Sequence, residues 1–129
     1  MDAFIPLDYT APESVAELLR RYATGERYFA YADIPDGADL KGAVLEDAIL
    51  EHAWLSDANC QGANLQRVSF RHSNVKCAIF RDANLQDASF EGAAVEETDF
   101  AGANLSGVSF AGAGDYGYTF QPGESPAEE

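Results

Sequence analysis

From Ala38 to Gly112 the chain reads ADLKG AVLED AILEH AWLSD ANCQG ANLQR VSFRH SNVKC AIFRD ANLQD ASFEG AAVEE TDFAG ANLSG VSFAG, fifteen consecutive pentapeptides without a gap. The third residue of each unit, its centre, is always apolar: seven Leu, five Phe, Val75, Val95 and Cys60. Two places before the centre stands Ala in eleven units, and Val68, Ser73, Thr98 or Val108 in the others. At an apolar frequency near one half, so long a run arises by chance with a probability of roughly 10⁻⁵. A period of five matches neither the 3.6 of a helix nor the 2 of a strand. It suits a chain that turns a corner every five residues.

A longer period lies above it. Leu45, Leu65, Leu85 and Leu105 form one column, and Leu50, Phe70, Phe90 and Phe110 another. Leu40, Cys60, Phe80 and Phe100 make a third, and Leu55, Val75 and Val95 a fourth. The residues before the centres follow suit, with Asn64, Asn84 and Asn104 in one column and Ser69, Ser89 and Ser109 in the next. A repeat of twenty built from units of five predicts four faces per lap.

The pattern resembles the pentapeptide-repeat family, whose motif is A-(D/N)-(L/F)-x-x, over residues 38 to 112. The resemblance implies an all-β solenoid, a right-handed quadrilateral β-helix of about four coils with four pentapeptides to a coil. A narrow square shaft admits a large side chain at each centre and only a small one two places earlier, which accounts for Leu or Phe alternating with Ala. The stretch LLRRYATGERYF, residues 18–29, is similar to the leader of many bacterial members, notably cyanobacterial ones.

A stacked shaft needs capped ends. Thr10-Ala11-Pro12-Glu13 reads as a capping box with Pro in the first turn, and Val15, Leu18, Leu19 and Tyr22 form an apolar stripe. Arg20 and Arg21 suit a last turn and Gly25 a stop. The expectation is a segment 1–26 carrying a capping α-helix from Pro12 to Ala23, a β-helix over 27–120, and a disordered acidic tail over 121–129. Ile34 and Leu40 are six apart, so Gly37 reads as a one-residue insertion. Asp115 breaks the pattern, and Phe120 is expected back in the column of Phe80 and Phe100, closing the end with Tyr116 and Tyr118.

The 129 residues make one domain, with 8 Lys and Arg against 22 Asp and Glu, a net charge of −14. So few cations exclude direct nucleic-acid binding through phosphates. No apolar run is long enough to span a bilayer and no signal-like start is present, so the expectation is a cytoplasmic monomer with no membrane role. Family members that mimic DNA carry extended negative surfaces and protect gyrase-type enzymes. Here residues 38–112 hold only −6 of the charge, and sign alternates down Glu51, Arg71, Glu91 and near Asp57, Lys76, Glu96, which read as cross-coil ion pairs.

Candidate sites are few. His52 and His72 fall one coil apart in one column, but the next residue is Gly92 and zinc requires three converging ligands. Cys60 is placed inside the shaft and Cys77 on its surface, so they do not pair. No triad, carboxylate pair or ligand cluster appears, so no enzyme activity, metal or cofactor is expected. The informative oddity is Val44, Ile49 and Trp54, apolar where later coils place mostly Asn, Ser or Ala. Either the N-terminal Phe4, Ile5 and Leu7 cover them or an unidentified protein partner docks there. The leading expectation is a non-catalytic protein-interaction scaffold, and the alternative a DNA mimic acting on a gyrase-type topoisomerase.

Overall fold

A computed structural model describes residues 5–126; Phe4 and residues 127–129, the end of the acidic tail, lie outside the described residues. Each pentapeptide forms one side and one corner of a square. The centre's carbonyl accepts a hydrogen bond from the amide three residues on, as in Ala43 to Leu40 (3.1 Å) and Ala88 to Leu85 (2.9 Å). The fifth residue of all fifteen units lies at positive φ, between 58° and 78°. That region costs a residue with a Cβ about 1–2 kcal/mol, least for Asp, Asn and His. Six of these positions are accordingly Gly, four Asp and two His; only Arg67, Cys77 and Glu97 depart.

The residue before each centre has its own local task. The side-chain oxygens of Asp39, Asn59, Asn74 and Asn104 accept the amide hydrogen two residues on, each at 3.0 Å. These are Asx turns that hold the corner. Ser89 does the same at 3.2 Å.

Parallel bridges then join these residues twenty apart, for example Val44 to Asn64, Asn64 to Asn84, and Asn84 to Asn104. Each side is too short to register more than one bridge per lap. Tyr28 pairs with Ile49 and Asp33 with Trp54, both 21 apart, and the spacing settles to twenty once Gly37 is passed. The extra residue read at Gly37 falls just before it, in Pro35-Asp36: Gly37 itself takes the corner position one lap above Asp57, at φ 77° and with its N–H donating to Ser56 (3.4 Å), so the insertion is absorbed within one lap.

Above the first complete lap stands helix α1, Val15–Ala23. It starts later than the sequence suggested. The N-cap is Ser14, whose hydroxyl accepts from Glu17 N–H (3.0 Å), while Glu17 Oε1 accepts from Glu13 N–H (3.1 Å). The cap is thus built on S-x-x-E at 14–17, not on Thr10 and Glu13, because Pro12 is already engaged: its carbonyl accepts from Asp33 N–H (2.9 Å). Pro12 is buried as the topmost rung of that face. Leu18 enters the core, and Tyr22 Oη donates to the carbonyl of Glu46 (3.0 Å).

The centres form the core. Leu45, Leu65, Leu85 and Leu105 occupy one internal file, fully buried except for Leu105 at the lower end. In the lower laps Phe70, Phe90 and Phe110 stack face to face at 4.8 and 5.2 Å. Phe80 and Phe100 stack at 5.5 Å in the opposite file, and the two files meet edge to face, as Phe90 and Phe100 do at 82°. Offset and edge contacts of this kind are the favoured aromatic geometries. Leu or Val fills the other two sides, so each square layer holds two rings.

The lower end closes differently from the expectation. Tyr116 and Gly117, both at positive φ, turn the chain back into a hairpin of β1 (Gly114–Asp115) and β2 (Tyr118–Thr119). Phe120 N–H donates to Ala113 (2.9 Å), and the ring lies 6.4 Å from Phe110 instead of continuing the Phe80 and Phe100 file. Tyr116 and Tyr118 remain exposed. Residues 121–126 are tied to the hairpin, Glu124 accepting from Tyr118 Oη (2.6 Å) and Gln121 N–H (2.8 Å).

Three corners carry cross-lap ion pairs: Arg67 with Asp47 (2.7 Å), Arg71 with Glu91 (3.2 Å) and Arg81 with Asp99 (2.7 Å). Glu51 accepts from Ser69 Oγ (2.8 Å) instead of pairing with Arg71. Among the described residues Asp57, Lys76 and Glu96 form no ion pair; Glu96 accepts from Tyr116 N–H (3.1 Å).

Two outcomes follow from this packing. Leu65→Ala leaves a void between filled layers and lowers the unfolding free energy by about 2–5 kcal/mol, whereas Leu105→Ala at the open end costs less; denaturant titration compares them, and equal losses would contradict a uniformly filled file. The guanidinium of Arg67 holds the Asp47 carboxyl below the usual carboxylate range. A depressed folded pKa contributes stability above the unfolded value that disappears as pH falls through the folded one. Thermal midpoints measured from about pH 5 down to about pH 2 therefore fall less steeply in Arg67→Gln than in the parent; an unchanged slope would deny the pair any role.

Candidate functional site

Val44, Ile49 and Trp54 sit on three successive faces of the first lap, each just before a buried Leu, so their side chains point outward by construction. Their fates differ. Ile49 bridges Tyr28 above and Ser69 below and is half-buried, lining a hollow of about 330 Å³ with Pro6, Gly25, Glu26, Arg27 and Tyr28. Tyr9 braces this side: its ring lies 4.9 Å from Tyr28, and its hydroxyl donates to the carbonyl of Ala30 (2.8 Å). Burial pushes the Tyr9 phenol up to about 12.

Val44 and Trp54 stay exposed, at 52% and 46%. The described part of the N-terminal segment does not cover them, since Ile5 and Leu7 are themselves 63% and 91% exposed. Trp54 is fixed at its edge, the indole N–H donating to Asp36 Oδ1 (2.8 Å), so that a defined aromatic surface meets solvent. Asp36 was not distinguishable in the sequence as part of this site. Its one signal is the Pro35-Asp36-Gly37 turn that delivers it one lap above the corner at Ser56 and Asp57.

On the adjoining corner Tyr31, His52 and His72 stack ring on ring, at 4.8 and 5.1 Å. Below them a Cβ at Gly92 would collide with Nδ1 of His72, so the file ends at a residue without a side chain. Among the described residues no group of three His, Cys, Asp or Glu could hold a metal ion. The column of Asn64, Asn84 and Asn104 is joined by side chains only in part: Asn104 donates to Asn84 (3.3 Å), but Asn64 donates to Glu46 Oε2 (2.6 Å). A second hollow, lined by Tyr118, Phe120, Glu124 and Ser125, lies at the terminal hairpin. No helix among the described residues is long and apolar enough to cross a membrane.

Cys60 is buried as a centre and its thiol is pushed up to about 12 by desolvation; Cys77 is exposed at a corner. Both are unpaired thiols. A disulfide-exchange reagent at neutral pH is expected to titrate one thiol in the native protein and two after denaturation, read by absorbance of the released chromophore. Two in the native state would mean that the shaft opens readily.

Comparison with known proteins places this geometry. A model described as a pentapeptide repeat region matches residues 43–114. HetL, a pentapeptide repeat protein involved in heterocyst differentiation regulation from the cyanobacterium Nostoc, is 28% identical with a TM-score of 0.66, covering 72% of this chain and 43% of its own. The chain thus spans less than half the length of HetL. A pentapeptide repeat protein from the cyanobacterium Cyanothece is 21% identical with a TM-score of 0.58, covering 76% and 78% of the two chains. No curated protein sequence matches the chain. With a filled square shaft, a corner every fifth residue and a family match over most of the repeat tract, the chain belongs to the pentapeptide repeat family.

Proposed function

We propose that this chain is a non-catalytic scaffold that engages another protein through the outward apolar residues of its first lap, Val44, Ile49 and Trp54. The observation that supports this most is an indole left nearly half exposed on a rigid face while its N–H is anchored to Asp36. Aromatic side chains held in one orientation make strong interface anchors because little conformational freedom remains to be lost on binding. In this reading α1 is the cap of a right-handed shaft of about four coils, residues 1–26 forming the cap segment and 27–120 the shaft. The protein works in the cytoplasm. The interior favours the non-catalytic part, since among the described residues its centres form one continuous apolar cluster. The likeness to HetL, described as involved in regulation, favours a regulatory partner over a metabolic one.

The net charge of −14 favours a second reading, a DNA mimic acting on a gyrase-type topoisomerase. The ion pairs at three corners weigh against it, because they break any continuous acidic stripe along the shaft.

Affinity capture from native extract, with Trp54→Ala and Val44→Ser proteins in parallel, tests the first reading. A partner retained by the parent and lost from Trp54→Ala, with the circular dichroism unchanged, is the expected result. A partner bound equally by all three proteins refutes it. Relief of gyrase inhibition in a supercoiling assay would instead favour the mimic.

A further inference from the structure

The face that carries Trp54 differs from the other three in its charge. Its outward column runs Asp33, Trp54, Asn74, Ala94, Gly114, each bridged to the next. Below the indole the residues shrink to Asn, Ala and Gly, so Trp54 stands proud of this face. The corner that ends this face carries Gly37, Asp57, Cys77 and Glu97 at its positive-φ position, with Asp36 immediately before the first of them and Lys76 as the one cation beside them. It is also the corner without a cross-lap ion pair: among the described residues Asp33, Asp36 and Asp57 have no Lys or Arg within 4.0 Å. The opposite edge of this face is the aromatic file of Tyr31, His52 and His72. Glu51, Arg71 and Glu91 stand beside that file, with Arg71 neutralised by Glu91.

Resting on the scaffold reading above, we propose that the Trp54 face binds an extended, arginine-bearing segment of a protein partner, one guanidinium lying on the indole between Asp33, Asp36 and Asp57. Charge complementarity selects the occupant. An acidic or phosphate-bearing partner meets three unpaired carboxylates against the single cation Lys76, and a purely apolar one leaves those carboxylates without partners as water is excluded. A cation satisfies both halves of the surface, because the ring face attracts positive charge and the carboxylates accept its hydrogen bonds. Arginine fits better than lysine, since its planar guanidinium stacks on the ring while its fork reaches a carboxylate at the edge. The indole N–H already occupies Asp36 Oδ1, which leaves the second oxygen free toward the ligand.

Trp54 is the sole tryptophan, so its fluorescence reports this face alone. The probe is a ten-residue peptide of alternating Arg and Ala, compared with its Lys and Glu counterparts. The expected result is a saturable change in Trp54 emission with the Arg peptide, a smaller one with Lys and none with Glu, weakening as salt is raised. Anisotropy of labelled Arg peptide is expected to show affinity falling about tenfold in Trp54→Ala. Asp36→Asn, which keeps the acceptor for the indole and removes the charge, and Asp57→Asn are each expected to cost about threefold or more. Asp87→Asn, on the opposite side of the square, is the control for net charge. Equal losses from Asp87→Asn and Asp57→Asn, or unchanged Trp54 emission on binding, would overturn the proposal.

Captured partners separate this inference from the reading it rests on. A partner lost from Trp54→Ala but kept by Asp36→Asn, by Asp57→Asn and at raised salt leaves the scaffold standing and removes the cationic segment. A partner kept by Trp54→Ala removes both.

Discussion

A lap closes only because one residue in five takes a positive φ. That backbone condition sets the rest of the molecule. Once the fifth residue bends the chain, the centre's carbonyl meets the amide three residues on, the centre is aimed inward, and the residue before it is aimed outward. The bend is unfavourable for most side chains, and it is held by what the neighbouring laps supply: up to three backbone bonds per side, one of them donated by the corner residue itself, and a packed interior. Corner and core therefore support each other. A corner without a filled centre would relax, and a filled centre without a corner would not face its counterpart one lap below.

Within that frame the interior divides into two regimes. The first complete lap is aliphatic, with Leu40, Leu45, Leu50 and Leu55 in one square beneath the buried Phe29 and Ile34, and the lower laps are a herringbone of five phenylalanines braced by Leu and Val. Cys60 stands where the two regimes meet, in the file that changes from Leu40 to Phe80. The change of filling occurs without any change in the hydrogen-bond pattern outside. The surface is consequently free to vary face by face, and recognition can reside in a few outward residues, such as Trp54, without disturbing the support beneath them.

The periodicity made the shaft, its four sides, the inward files and an extra residue between Ile34 and Leu40 legible in the sequence, because each depends on spacing alone; that the extra residue precedes Gly37 does not follow from spacing. The two ends were less legible because they depend on competition between local options. Thr10 and Glu13 satisfy the capping pattern as well as Ser14 and Glu17 do, and only the bond from Asp33 to the carbonyl of Pro12 excludes the earlier start. Phe120 is twenty residues from Phe100, yet Tyr116 and Gly117 reverse the chain before that register is reached. Side-chain pairing was legible only in part. Arg71 finds Glu91 while Glu51 is held by Ser69, a choice made by reach and angle, which spacing does not encode. For the candidate site, the sequence marked Trp54 as out of place, but Asp36, which orients it, belongs to the irregular turn where the repeat has not yet begun.

The register of twenty has a consequence for how such a molecule can change in size. Since every lap presents the same bonds above and below, removing or duplicating a whole circuit in the middle would shorten or lengthen the column and leave both termini in the same relative orientation. Gaining or losing a single pentapeptide would instead swing the terminal hairpin by a quarter revolution relative to α1 and the indole. Length and angular offset between the two ends are thus separately adjustable, each in fixed steps.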